Sequence, residues 1–351
     1  SINEFSNILL FRSFYDENCI FVYINTIRMS RILTGVQSTG TPHLGNLLGA
    51  ILPAIKMSND PKNDAFLFIA DMHSLTQIKD GNELRENTYS TAATWLACGL
   101  DINKTVFYRQ SDVPEVSELS WYLSCFFPYQ RLTLAHSFKD KADRLFDVNS
   151  GLFTYPMLMA ADILLYDAEI VPVGKDQQQH LEITRDIAEK FNKKFGNIFN
   201  IPEAVINEEK TVLGTDGRKM SKSYNNIIPL LSGEDELKKS VMKIITNSQE
   251  PGEKKEWEDN ILSSIYSSFA DEQSIKELQN KFSDGIGWGD AKKIVFEDLN
   301  KLLTPIREKH AELKSKENYL EEILQSNAKK VRAFTKPLLE EVKSSIGISK
   351  F

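Results

Sequence analysis

The segment Arg31-Ile32-Leu33-Thr34-Gly35-Val36-Gln37-Ser38-Thr39-Gly40-Thr41-Pro42-His43-Leu44-Gly45-Asn46 sets the pattern of the whole chain. Residues 31–36 are rich in apolar and β-branched side chains and read as a strand. A cluster of Gly, Ser, Thr and Pro follows, and helical periodicity takes over across 46–57. The same unit recurs. Residues 65–70, 105–108 and 169–173 read as short strands, with helical patterns across 83–98, 115–126, 155–165 and 176–195. Strands that alternate with helices form a parallel sheet with crossovers, so the expectation is an α/β fold with a Rossmann-like parallel sheet. In such sheets ligands gather at the carboxyl ends of the strands, beside helix N-termini.

The bulk properties narrow the field. A chain of 351 residues holds one large domain or two ordinary ones. With 41% apolar and 26% charged residues it is neither disordered nor membrane-embedded in composition, and no apolar run reaches bilayer length. A formal charge of −7 excludes a simple basic nucleic-acid binder, and no DNA partner is expected. The segment 301–351 differs, with 11 Lys/Arg against 7 Asp/Glu, which suits a local phosphate contact or a solvated helix face. Within it Lys329, Arg332 and Lys336 share one helical face. Cys19, Cys98 and Cys125 match no disulfide or metal spacing; reduced thiols and no metal site are expected. Residues 1–28 stand apart as an extension of unclear origin, and Glu4, Asp16 and Glu17 argue against a transit peptide. From about Ser232 onward only helices broken by polar loops are visible, with breaks at Pro251-Gly252 and at Asp284–Gly289. The expected division is a 29–223 catalytic domain followed by an all-α C-terminal domain, 224–351.

Two generic nucleotide signatures are missing, G-x-x-x-x-G-K-[ST] and an early G-x-G-x-x-G. The first strand-to-helix turn offers something else. His43 and Asn46 are donors without permanent negative charge, and Gly45 permits close approach of a ligand. A second candidate is Gly217-Arg218-Lys219-Met220-Ser221-Lys222-Ser223, whose two lysines and two hydroxyls suit a mobile polyphosphate clamp. Taken together, His43–Asn46 resembles the "HIGH" signature, and Lys219–Ser223 is identical to the "KMSKS" signature, of class I aminoacyl-tRNA synthetases.

A third group lies on one helix face, where Tyr155, Met159 and Asp162 fall at i, i+4 and i+7 among apolar neighbours. Thr154 reads as the N-cap of that helix, with Pro156 in its first turn. A carboxylate in such surroundings requires a donor, either an indole N–H or an internal Arg; Met159 adds a soft contact to an aromatic ring. Val171-Pro172-Val173-Gly174-Lys175-Asp176-Gln177-Gln178-Gln179-His180 is another strand-to-helix turn. His73, after the strand 65–70, also sits at a carboxyl end. The helix 155–166 and this turn are similar to the tryptophan-binding helix and adenosine-binding turn of the bacterial-type tryptophanyl-tRNA synthetases. The resemblance runs, with gaps, from about Ser30 to the C-terminus.

That resemblance implies activation of L-tryptophan by Mg-ATP (Mg2+ entering with the nucleotide) and transfer to tRNA(Trp), in a cytoplasmic homodimer with Glu115–Tyr129 as a candidate interface. It implies catalytic roles for His43, Asn46, Lys219, Ser221 and Lys222. ATP would be held by Gln37, Ser38, Thr39, Gly45, Asn46, Gly174, Lys175, Asp176, Met220, Ser223 and the clamp lysines, with Val212, in a strand before the clamp, at the adenine. Tryptophan would meet Asp162, Met159, Tyr155, Gln177, Gln37 and His73. The sequence departs from the family pattern at Ser38 (commonly Pro), Lys175 (commonly Glu) and Tyr224-Asn225-Asn226 (commonly Asp-Pro-Asn). The competing readings are the tyrosine-specific sister enzyme, whose phenol O–H also suits Asp162, and a non-catalytic nucleotide- or RNA-binding paralogue.

Overall fold

A computed structural model of the chain describes residues 29–133, 148–174, 177–206 and 212–348; the extension 1–28 lies outside the described residues. Five strands, β1 (Ser30–Val36), β2 (Asn63–Ile69), β3 (Thr105–Arg109), β4 (Ile170–Val173) and β5 (Glu203–Ile206), form one sheet in the order β3-β2-β1-β4-β5. Every pairing is parallel. The chain moves outward from β1 through β2 to β3, then returns to the far side of β1 for β4 and β5. The topological switch point therefore lies between β1 and β4, where a crevice opens at the carboxyl ends.

Strand residues alternate between two cores, as a period of two requires. Leu67, Ile69 and Phe107 face one cluster with Leu44, Leu47, Tyr89 and Trp95; Phe66, Phe68 and Tyr108 face the other with Leu119, Ile163 and Phe191. Burial on both faces explains why these strands read as apolar runs rather than alternating ones.

Three sequence expectations are corrected, and one strand is new. The helix carrying Asp162 spans Ser150–Leu164, not 155–165, because Asn149 caps it by accepting from Leu152 N at 3.1 Å. Thr154 is not the cap; its hydroxyl donates to Ser150 O inside the helix, and Pro156 is an interior residue. β5 was not anticipated: a four-residue edge strand carries too little pattern to stand out. Val212 is not in a strand; Leu213 and Lys219 form a lone antiparallel bridge at the base of a tight turn. Of the three cations on one helical face, Lys329, Arg332 and Lys336, Arg332 is paired: its Nε donates to Glu115 at 2.9 and 3.1 Å.

The last third is helical as expected. The helices Trp288–Lys314 and Glu317–Ser345 run back along the sheet layer and pack on Gly81–Ala97 and on β3. The two predicted breaks meet each other. Gly252 N donates to Gly285 O at 2.7 Å, and a Cβ on Gly285 would lie 2.5 Å from the Gly252 backbone. Buried Lys255 ties this junction, donating to Glu250 O and Glu253 O at 3.0 Å each. Gly285 also has φ +82°, which a side chain disfavours. Gly285→Ala is therefore expected to cost about 2 kcal/mol or more in urea unfolding followed by circular dichroism. Gly289→Ala, where nothing lies within 4 Å of the new Cβ, is expected to be neutral or mildly stabilising.

Candidate active site

Asp162 is enclosed by protein, 2% exposed, and its two oxygens meet donors from two strand ends. His73 Nε2 lies 2.8 Å from Oδ2, and Gln110 Nε2 lies 2.8 Å from both oxygens. Burial pushes the Asp162 carboxyl up from its ordinary range; the bonds from His73 and Gln110 pull it back only in part. The internal Arg considered as a partner does not appear among the described contacts. A carboxylate has about four acceptor positions, and these contacts leave room for a further donor. Gln110 Oε1 is also buried, with no hydrogen-bond partner among the described residues.

The turn that carries Gln110 is fixed on its other side. Ser111 N and Oγ donate to Asp71 at 3.0 and 2.5 Å, and Met72 N donates to the same carboxylate at 3.0 Å. Tyr155, one face of the helix with Asp162, places its hydroxyl 2.6 Å from His180 Nε2. Met159 is half-buried on the same helix. Gln177 precedes the helix Gln178–Phe195, and its N–H donates to Gly174 O at 2.9 Å. Lys175 and Asp176 lie outside the described residues.

A second wall of the candidate site comes from the first crossover. His43 is the N-cap of the helical stretch that starts at Leu44, and it forms a reciprocal capping box with Asn46. Asn46 N donates to His43 Nδ1 at 3.3 Å and His43 N to Asn46 Oδ1 at 3.0 Å. Burial first, and the Lys222 charge second, hold the His43 imidazole down at about 4. At neutral pH it is uncharged, and with Nδ1 accepting, the proton sits on Nε2 as a donor. Gln37 is exposed at the end of β1, while Ser38 is fully buried with its hydroxyl 3.1 Å from that of Ser74, supporting the turn from beneath.

The clamp sequence meets this wall directly. Leu44 N donates to Ile228 O at 2.9 Å and Leu230 N to Pro42 O at 3.1 Å, so the segments that follow β1 and the clamp are laced together. Met220 Sδ accepts from Gly45 N at 3.3 Å, and a Cβ on Gly45 would crowd the His43 ring at 3.1 Å. Lys222 Nζ reaches Thr39 O at 3.0 Å, and burial lowers its pKa. Lys219 and Ser223 are exposed. Ser221 caps the short 3-10 turn Lys222–Tyr224, accepting from Ser223 N at 3.3 Å. Val212 contributes its carbonyl to Met220 N at 3.0 Å, which closes the loop base. Buried Asn226 holds the loop from within: its amide donates to Asp216 Oδ1 at 2.7 Å and Lys219 O at 3.1 Å, and accepts from Ser221 N at 2.8 Å. Asn225 has φ +52°, a conformation closed to proline. Arg218 lies over the Tyr224 ring at 4.3 Å. Among the described residues, no group of three or more His, Cys, Asp or Glu side chains is placed to hold a metal.

The profile of the family described as tRNA synthetases class I (W and Y) matches residues 26–304. The chain belongs to this family of class I synthetases. A tryptophan–tRNA ligase of Neisseria meningitidis is 45% identical over 91% of this chain and 98% of its own length. Among solved structures, the tryptophanyl-tRNA synthetase of Campylobacter jejuni, complexed with ADP and tryptophan, is 45% identical with a TM-score of 0.87, covering 90% of this chain and 99% of that one. The enzyme of Mycoplasma pneumoniae is 28% identical, with a TM-score of 0.77 over 92% and 98%.

Within this class I synthetase, four residues of structural weight have no role of their own in the sequence reading: Asp71, Gln110, His180 and Asn226. Gln110 follows β3 directly, so the carboxyl-end rule that singled out His73 would have found it. His43 carries a testable pH signature. An ordinary imidazole protonates at 6.5 and His43 at about 4. Between those values the unfolded chain binds a proton that the native chain refuses, so acidification favours unfolding. The contribution is absent above 6.5 and grows as the pH falls toward 4. Urea midpoints measured across this range are expected to show a shallower slope in His43→Gln than in the wild-type chain.

Proposed function

We infer that this synthetase activates L-tryptophan with ATP and transfers it to tRNA(Trp). The observation that carries the specificity is Asp162, a buried carboxylate on an apolar helix whose protein donors leave an acceptor position open. An indole N–H is donor-only and suits that position. Gln110 Oε1, buried beside it without a partner among the described residues, is a second acceptor that favours a donor in the same space. The relatives named tryptophan–tRNA ligase and the solved relative holding ADP with tryptophan support the same reading.

In the first step the tryptophan carboxylate attacks the α-phosphate of ATP. The bond to the β-phosphate oxygen breaks, and tryptophanyl-adenylate and pyrophosphate form. In the second, a hydroxyl of the terminal tRNA ribose attacks the adenylate carbonyl and AMP leaves. Such transfers depend on positioning and on donors aimed at the charge that develops. Neutral His43, with its proton on Nε2, and the Asn46 amide would face the phosphates from the first crossover. Lys219 and Lys222 would meet them from the clamp, and Lys222 would exchange its bond to Thr39 O for one to phosphate. Gln37, Thr39, Gly45, Gly174, Lys175 and Asp176 would hold the rest of the nucleotide, with Mg2+ entering as part of the ATP complex. Tyr155, Met159, His73 and Gln177 would orient tryptophan.

We assign 29–223 to catalysis and the helical part, 224–351, to tRNA, with Lys329 and Lys336 as exposed cations beside the paired Arg332. Trp121 and Tyr129 are 69% and 65% exposed on the segment expected at a dimer interface, which favours a homodimer. No helix among the described residues is long and apolar enough to cross a membrane; a cytoplasmic enzyme is proposed.

ATP–pyrophosphate exchange tests this function. Exchange is expected with tryptophan and not with tyrosine; exchange with tyrosine alone would overturn the specificity, and exchange with neither would overturn the activity. Lys222→Ala is expected to slow tryptophan-dependent exchange about 100- to 1000-fold, while tryptophan affinity by equilibrium dialysis stays within about twofold.

A further inference from the structure

Four consecutive residues at the end of β3, Arg109 to Asp112, each have a hydrogen-bonded side chain. Gln110 donates inward to Asp162 and Ser111 to Asp71. Arg109 and Asp112 face outward and grip each other twice, at 2.8 and 3.0 Å. This outer pair is held by the helix Glu317–Ser345. Arg109 donates to both Glu321 oxygens, at 2.9 and 3.2 Å, across 212 residues of sequence. Gln325, one turn further on, donates to Asp112 at 3.0 Å and to Glu321 at 3.1 Å. Tyr89 from the helix Gly81–Ala97 donates to Glu321 at 2.8 Å.

We propose that Glu321 is a positioning residue for the tryptophan pocket: through Arg109 it fixes the turn that presents Gln110 to Asp162. The proposal rests on the reading of Asp162 as the acceptor for the indole. Its basis is geometric. Arg109 is the last residue of β3 and Gln110 the first of the 3-10 turn Gln110–Asp112, so the outward Arg109 and inward Gln110 are adjacent on one short stretch of backbone. Arg109 lacks any acceptor function and is forked, so two carboxylates, Asp112 and Glu321, together define its plane. Gln110 donates with one amide nitrogen to both Asp162 oxygens, a geometry that a small rotation of the turn would break. The pocket floor is thereby completed by a helix from the far end of the chain. The helix assigned above to tRNA thus also touches the turn that carries Gln110.

The test is steady-state ATP–pyrophosphate exchange with the full-length chain, reading KM for tryptophan and KM for ATP separately. Glu321→Gln keeps the shape and removes the charge. It is expected to raise KM for tryptophan about tenfold, leave KM for ATP within about twofold, and be largely rescued in Glu321→Asp. Because Glu321 acts through Gln110, adding Glu321→Gln to Gln110→Ala is expected to raise KM for tryptophan no further. Equal multiplication of effects in the double variant would overturn the proposal, as would an unchanged KM for tryptophan in Glu321→Gln. Asp162→Asn is the companion measurement. If it raises KM for tryptophan while Glu321→Gln does not, only the positioning role falls; if it leaves KM unchanged, the pocket reading falls and takes the positioning role with it. Should Glu321→Gln fail to fold, Gln325→Ala removes the outer donor to Asp112 and is expected to act in the same direction, about threefold.

Discussion

A carboxylate fully enclosed by protein has no water to solvate it, so its surroundings must supply donors or it takes up a proton. Asp162 is in that position, and much of the architecture follows from how its demand is met. The donors come from the residues just beyond β2 and β3, His73 and Gln110, and the carboxylate comes from the helix that precedes β4. These three elements converge only because β2 and β3 lie side by side and the chain then crosses over to the other side of β1. The short turn bearing Gln110 is in turn stiffened by Asp71 within and by Glu321 and Gln325 without. Each added contact restricts where the next one can be, and the result is a polar cluster of defined geometry among apolar neighbours.

The proposed phosphate side is built on a different principle. There the segments on either side of the site are laced by backbone bonds, Leu44 to Ile228 and Leu230 to Pro42, so the two signatures share one frame although they are far apart in sequence. The clamp itself is the short stretch around Lys219 and Lys222. Asn226 ties that stretch at Asp216, Lys219 and Ser221. The left-handed backbone at Asn225 and the ring of Tyr224 under Arg218 give this loop a closing geometry that the Asp-Pro sequence common in the family cannot copy. Burial keeps His43 neutral, so it can donate to a phosphate without adding a fixed charge beside Lys222.

Much of this was legible in the residues. The alternation of strand and helix predicted a parallel sheet, and four of the five strands lie within two residues of where the pattern put them. The five residues Lys219–Ser223 and the quartet His43–Asn46 stood out as the candidate phosphate site. Asp162 stood out because a carboxylate among Leu, Ile, Met and Ala is costly without a partner. The misplaced helix start at Thr154 has a plain reason: Thr is a good cap and Pro suits a first turn, but Asn149 lies one turn earlier and caps more strongly. β5 was missed because four residues on a sheet edge carry little period.

Periodicity, caps and charge are local properties, and local properties are what a linear sequence determines: the element types, the apolar faces, and the few residues too polar or too constrained to be ordinary. Partners across space were decided by tertiary structure alone. That Asp162 would meet His73 and Gln110, 89 and 52 residues away, that Ser38 would turn inward to Ser74, that Arg332 would spend its charge on Glu115, and that Glu321 would reach back to Arg109 all depend on strand order and helix packing. A buried polar group fixes only that a partner must exist; the path of the chain through the core fixes which one it is.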